Sequence, residues 1–319
     1  MNLPAEVYVG SFGYALGDRR FHVEESAAAG RLRSSSRDLR EAGFDLHHVC
    51  DPGTSAYDLA KAAVKEIASL GRTDAIVYAT CLPLNANAGD VSALAESRDV
   101  KCLMDFPAGR LQADLDLGEP IVVGLGQQAC TSMLGSLRVA AALLATEPDW
   151  ERVLCVTADR FPEGALYEQA FNLISDGAAA CVVGREPAEF RLVTVHQISN
   201  GRLGQATDEV TVGTYFAYTH RLVQETLDRA GLTIGDIDWV VPQNTHVTAW
   251  RILARLLGVD EAKVWFPSMP RVGHVISADN VVNVSDLLAS GQVRPGQRVA
   301  LVMAGFGLTW QCAILEATE

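Results

Sequence analysis

The chain has no run close to the roughly 18 uninterrupted apolar residues that a membrane-spanning helix needs. Its first residues, MNLPAEVYVG, lack the basic-then-apolar order of a secretory signal. No membrane partner is expected, and the expected location is the cytoplasm. Cys-x-x-Cys spacing is also missing. The seven cysteines are odd in number, and several lie in strand-like runs such as VLCVTA and AACVVG. This argues against a disulfide framework or a metal site and for reduced, mostly core thiols. Positive charge is scarce: 26 Lys and Arg against 39 Asp and Glu give a formal net charge of -13, so no nucleic-acid partner is expected. An acidic carrier protein would need a local basic patch. Gly/Ser linkers and low-complexity segments are absent, so any two halves are expected to share an interface.

What is present is enough apolar material for a large core, 49% of 319 residues. Near-continuous hydrophobic runs, among them DAIVYAT, PIVVGLG, RVLCVTA, AAACVVG, DIDWVVP and RVALVMAGFG, read as strands buried on both faces. Helical patterns alternate with them, so the class is α/β. Two parallels suggest an internal duplication. SAYDLAKAAVKEIASLGRTDAIVYAT and TYFAYTHRLVQETLDRAGLTIGDIDWVVP are each a long helix, a polar turn and a buried strand. IVVGLGQQACTSMLGSLRVAAALLAT with RVLCVTA is matched by VGHVISADNVVNVSDLLASGQVRPGQRVALVMA. The expected halves are residues 1–185 and 186–319, divided at GREPAEF.

Cys130 follows IVVGLGQQA and opens an apolar helix, where the helix dipole and free N–H groups favour thiolate. A buried small residue is the alternative. In RVGHVISADN, His274 and Asp279 are five apart, a spacing that on one helix would hold them roughly 140° apart. They meet only if His274 lies in the loop and Asp279 in the first helical turn, where Ser277 or Asp279 would equally serve as a cap.

Taken together, these segments resemble the β-ketoacyl-acyl carrier protein synthase III family of the thiolase superfamily. QQACTSM falls where the family has its nucleophilic cysteine, and NLISDGAAACVVG matches its glycine-aspartate-glycine strand entry at Ser175, Asp176 and Gly177. DIDWVVPQNTHVTAWRILARLLGV, RVGH and QVRPGQRVALVMAGFGLTW match the segments holding its histidine, its asparagine and its glycine-rich turn. The resemblance implies a thiolase-like homodimer, each chain made of two βαβαβαββ halves in five α-β-α-β-α layers.

Departures from the family pattern sharpen the expectation. The histidine of condensing members is Gln243 here and the asparagine is His274, so the pair that stabilises the decarboxylation enolate is missing in its usual form; His246 is a candidate accessory beside Gln243. A branch of natural-product acyltransferases is similar at this point, with a nucleophile, a histidine for the asparagine and an aspartate five residues on. That resemblance implies a Cys130–His274–Asp279 triad and an acyl-Cys130 intermediate. It also implies an oxyanion hole from the backbone N–H groups of Cys130 and Phe306. The donor would be an acyl-CoA or acyl carrier protein and the acceptor a hydroxyl, amine or carrier thiol, in a pathway such as antibiotic biosynthesis. Coenzyme A or phosphopantetheine enters only within the donor, with no metal or redox cofactor.

The alternatives are a decarboxylative condensing enzyme and a non-catalytic pathway partner. GFDLHH stands where the family has its glycine-isoleucine-arginine stretch, so nucleotide contacts are not carried over. ISNGRLGQATDEVTVGTYF is shorter than the family insertion, which implies a more open mouth. Arg251 and Arg255, spaced i, i+4, are a candidate carrier-docking pair or a solvated helix face. His22, His47, His48, His196 and His220 are expected at the surface or as satisfied core residues.

Overall fold

The computed structural model describes residues 6–169, 172–205, 208–305 and 308–318. Nine strands form one sheet: β1 (Tyr8–Leu16), β2 (Ala75–Ala79), β3 (Ile121–Leu125), β4 (Arg152–Asp159), β5 (Gly177–Gly184), β6 (Phe190–Ser199), β7 (Trp239–Val241), β8 (Arg298–Gly305) and β9 (Thr309–Ala317). Their order is β7-β8-β9-β6-β1-β5-β4-β2-β3. The helices that build the layers between them are α1 (Ala56–Lys65), α2 (Pro107–Asp114), α3 (Ser132–Thr146), α4 (Asp208–Ala230), α5 (Val247–Leu257) and α6 (Asp279–Ala289).

The pairing pattern occurs twice. β2 and β4 are parallel while β4–β5 and β5–β1 are antiparallel; likewise β7 and β8 are parallel while β8–β9 and β9–β6 are antiparallel. Only the strand equivalent to β3 is reduced, to a parallel bridge between Val240 and Val264. Each set therefore runs βαβαβαββ, and the sets join where Tyr8 and Val9 of β1 pair Arg191 and Phe190 of β6.

Alternation of side chains along the strands builds the layers. Ile76 and Tyr78 of β2 pack with α1 and α2, whereas Ala75 and Val77 face α3. α3 and α6 share one core with strands of both sets, and α4 and α5 cover the far face of β8 and β9. The result is the expected α/β thiolase-like arrangement, α-β-α-β-α. Residues 129–146, which include α3, have the length and mean hydropathy of a membrane span. The layering accounts for this, because a helix packed on two sides is apolar nearly all round. All seven cysteines are free thiols; Cys50, Cys155, Cys181 and Cys312 are buried and Cys81, Cys102 and Cys130 half-buried.

Candidate active site

Between β3 and α3 the backbone makes a tight turn, with Gln127 (φ 62°) and Ala129 (φ 46°) both left-handed. That conformation costs a non-glycine residue roughly 1–2 kcal/mol, so the turn must be braced. Thr131 Oγ1 donates to the Gln128 carbonyl at 2.7 Å, and Gln311 Nε2 of β9 donates to Gln128 Oε1 at 2.7 Å and Thr131 Oγ1 at 3.0 Å. Ser277 Oγ donates to the Ala129 carbonyl at 3.1 Å. Cys130 lies in the single 3-10 turn so formed, immediately before α3. Its N–H has no backbone partner among the described residues, which leaves it available to an oxyanion.

His274 is fixed by its main chain: its N–H donates to the Leu173 carbonyl at 2.7 Å and its carbonyl accepts from Ser175 at 2.9 Å. Ile276, left-handed at φ 53°, turns the chain back on itself through a 3-10 turn, Ile276–Ala278. Asp279 then opens α6, and its Oδ2 meets His274 Nδ1 at 2.5 Å in a fully buried contact. The five-residue spacing works as the loop-and-first-turn reading requires.

The capping alternative is not realised. α6 has no side-chain cap, because Asp279 accepts from Val275 N–H at 2.6 Å and Asn244 N–H at 2.7 Å, while Ser277 is committed to Ala129 and to Ser132 at 2.8 Å.

Cys130 and His274 line one cavity of about 380 Å³, with Cys81, Gln243, His246, Phe161 and Trp310 among its other walls. The Cys130 thiol is held below its ordinary pKa, first by a hydrogen bond from Cys81 and then, against burial, by His274. Burial works against charge on His274, but the Asp279 carboxylate and Cys130 outweigh it and push its pKa up to about 10. Both shifts run in the direction of a thiolate–imidazolium pair.

Gln243 Oε1 accepts from Ala304 N–H at 3.0 Å, which turns its Nε2 toward His274 Nε2, 3.4 Å away. His246 caps α5, its Nδ1 accepting from Thr248 N–H at 3.2 Å, on the cavity wall but outside the His274–Asp279 pair. Phe306 lies outside the described residues; next to it, a Cβ built on Gly305 would stand 3.3 Å from the Cys130 nitrogen, so the end of β8 passes over the Cys130 amide.

Arg251 is tied to Glu261 at 2.7 Å, which weakens it as a docking cation, whereas Arg255 is exposed and has no ion pair among the described residues, beside exposed Ile252 and Leu256. His47 and His196 are satisfied core residues, bonded to Ser26 and Glu225.

Several residues went unmarked by motif. Asp159, Asn244, Gln311 and Cys81 reach the site only through the sheet order, and buried polar side chains in apolar strand runs were the one available signal for Asp159 and Gln311.

Two family models match the chain, 3-oxoacyl-[acyl-carrier-protein] synthase III over residues 126–201 and its C-terminal counterpart over 227–317. A β-ketoacyl-[acyl-carrier-protein] synthase III of Chlamydia caviae is 27% identical over 312 residues, covering 88% of each chain. Among solved structures, the acyltransferase ChlB3 superposes with a TM-score of 0.83 at 22% identity over 98% of both chains. The 3-oxoacyl-(acyl carrier protein) synthase III of Pseudomonas aeruginosa does so at 0.81 and 22%, over 98% of this chain and 99% of its own.

Proposed function

The chain is a synthase III-like enzyme of the thiolase superfamily, and we propose that it is a non-condensing acyltransferase. The observation that carries this is the 2.5 Å contact between His274 Nδ1 and the buried Asp279 carboxylate. A histidine so paired is a base with one fixed tautomer. Stabilising a decarboxylation enolate calls instead for a second neutral N–H donor, the part an asparagine plays at this position in condensing members.

The cycle needs only these groups. The Cys130 thiolate attacks the carbonyl carbon of an acyl-CoA or acyl-carrier thioester, and the oxyanion is held by the Cys130 N–H and that of Phe306. The C–S bond to the donor breaks, and its thiolate takes the proton from His274. Neutral His274 then removes the proton of an incoming hydroxyl, amine or thiol as it attacks acyl-Cys130. Cys130 leaves as thiolate, and the imidazolium is restored. Synthase III relatives use acyl-CoA and acyl-carrier substrates, and ChlB3, named an acyltransferase, has the same fold.

The rest of the assignment belongs to this proposal. The halves divide near residue 185, Arg255 with Ile252 and Leu256 receives a carrier protein, two copies associate, and the product belongs to secondary metabolism in the cytoplasm. The triad's likeness to the natural-product branch supports the last point. Condensation is the second reading, favoured by the synthase names of the relatives.

One experiment separates them. Incubation with a panel of non-malonyl acyl thioesters should add the acyl mass to Cys130 and pass it to an acceptor without carbon dioxide release. Carbon dioxide from malonyl-thioester with a carbon–carbon bonded product would overturn the proposal in favour of condensation, and no acyl mass from any donor would end covalent catalysis altogether.

A further inference from the structure

β2, β3 and β4 run parallel and adjacent, so their C-terminal ends open on one place, where α/β sheets bind and react. The chain delivers Cys81 just past β2, Cys130 just past β3 and Asp159 as the last residue of β4. Cys81 and Cys130 line the same cavity and pack against the same small cluster, which includes Phe161, Ile174 and Ile276. The two thiols therefore share one stretch of the cavity wall.

Cys81 is also clamped. Its N–H donates to both oxygens of buried Asp159, at 3.1 and 2.8 Å, and Leu82 N–H and Asn85 Nδ2 each reach Asp159 Oδ1 at 2.9 Å. A carboxylate serving three donors on one short segment fixes where the Cys81 side chain starts.

The geometry points to Cys81 as a positioning residue for the nucleophile: its S–H donates to the Cys130 sulfur and, beside His274, gives a half-buried thiolate a second donor. A thiolate taken out of water needs such partners, because each missing one adds to its desolvation cost. The titratable groups facing Cys130 are Cys81 from the segment after β2, Asp159 from β4, and His274 with Asp279 from the segment entering α6. Cys130, burial and the Asp159 charge all push the Cys81 thiol up, so Cys81 keeps its proton over the range in which Cys130 has lost its own. Acylation removes the charge from the Cys130 sulfur and with it the stronger acceptor, so Cys81 favours the free thiolate and eases its departure in the second half-reaction.

The inference rests on the proposed function only in taking Cys130 as nucleophile, and its test is separate. The rate of Cys130 alkylation by iodoacetamide is followed against pH on the full chain, with the Cys130 peptide read by mass spectrometry. The wild-type midpoint should lie below that of an ordinary thiol. Cys81→Ala and Cys81→Val, which lack a donor, should move it up by about one to two pH units, and Cys81→Ser, which keeps an O–H, should stay near wild type. Profiles of the Ala and Val variants that superimpose on wild type, or a Ser variant that follows them, would overturn the inference. Acyl-mass formation on the wild-type enzyme stands or falls independently of these profiles.

Discussion

The Asp279 carboxylate accepts from three donors at once: the His274 ring and the N–H groups of Val275 and Asn244. Asparagine has one acceptor oxygen, so in Asp279→Asn an NH2 group must face one of these N–H groups. The variant should lose about 1–3 kcal/mol of stability, read by thermal melting. It should also lose roughly 10²- to 10⁴-fold in single-turnover acyl transfer, since the imidazole tautomer is no longer fixed. A rate within a few-fold of wild type would remove Asp279 from the triad. Cys130, His274 and Asp279 were candidates in the sequence because each stands at a junction between elements, and the family resemblance is what joined them into one expected triad. Gln311, 183 residues from its partner Gln128, and Asp159, 78 residues from Cys81, carry no such signal until strand order brings them together.

The elements around Cys130, His274 and Asp279 act as braces, and two substitutions test them. At Gly305 an added Cβ would lie 2.8 Å from the Gln128 carbonyl and 3.2 Å from Ala129 Cβ. Gly305→Ala must therefore push the end of β8 away from the turn that carries Cys130. Displacements of that size cost up to about 10²-fold when they misplace reacting groups, and the acylation rate should show such a loss while the fold persists by circular dichroism.

His47 braces the opposite side. Its Nδ1 lies 2.8 Å from the carbonyl of Ile174, the residue bridged to His274, and its Nε2 lies 2.6 Å from Ser26 Oγ. Burial pushes its pKa down to about 4, below the roughly 6.5 of an unfolded histidine. Below 6.5 the unfolded chain binds the proton more readily, so stability is intact above that pH and declines as pH falls toward 4, by about 3 kcal/mol in all. Urea midpoints at several pH values should show this decline, and His47→Asn should flatten it. In the sequence His47 was only a histidine without a role, since the carbonyl it meets lies 127 residues away.

For the whole molecule, the duplication could be seen in paired helix-turn-strand patterns, whereas the joint between the sets could not: it consists of two residue pairs between β1 and β6, and apolar runs alone do not encode register. The same sheet order explains why a single chain looks incomplete. β3 is an edge strand, paired only to β2, yet Ile121 and Val122 are 54% and 39% exposed. A bare apolar edge is a template for another strand, and single-chain proteins blunt such edges with charge or proline. Leu84, Val91, Val100, Met104 and Phe106, in the segments that lead from β2 to β3, are exposed as well. A second copy of the chain meeting this edge across a two-fold axis would cover β3 and stiffen the turn that carries Cys130 only a few residues on. Sedimentation should therefore give twice the 34.2 kDa of one chain, and the double substitution Ile121→Glu with Val122→Glu should shift it toward one copy at micromolar concentration. Acyl transfer should fall with dissociation and recover as protein concentration rises, whereas a wild-type chain that sediments as a single copy would exclude this edge as an interface.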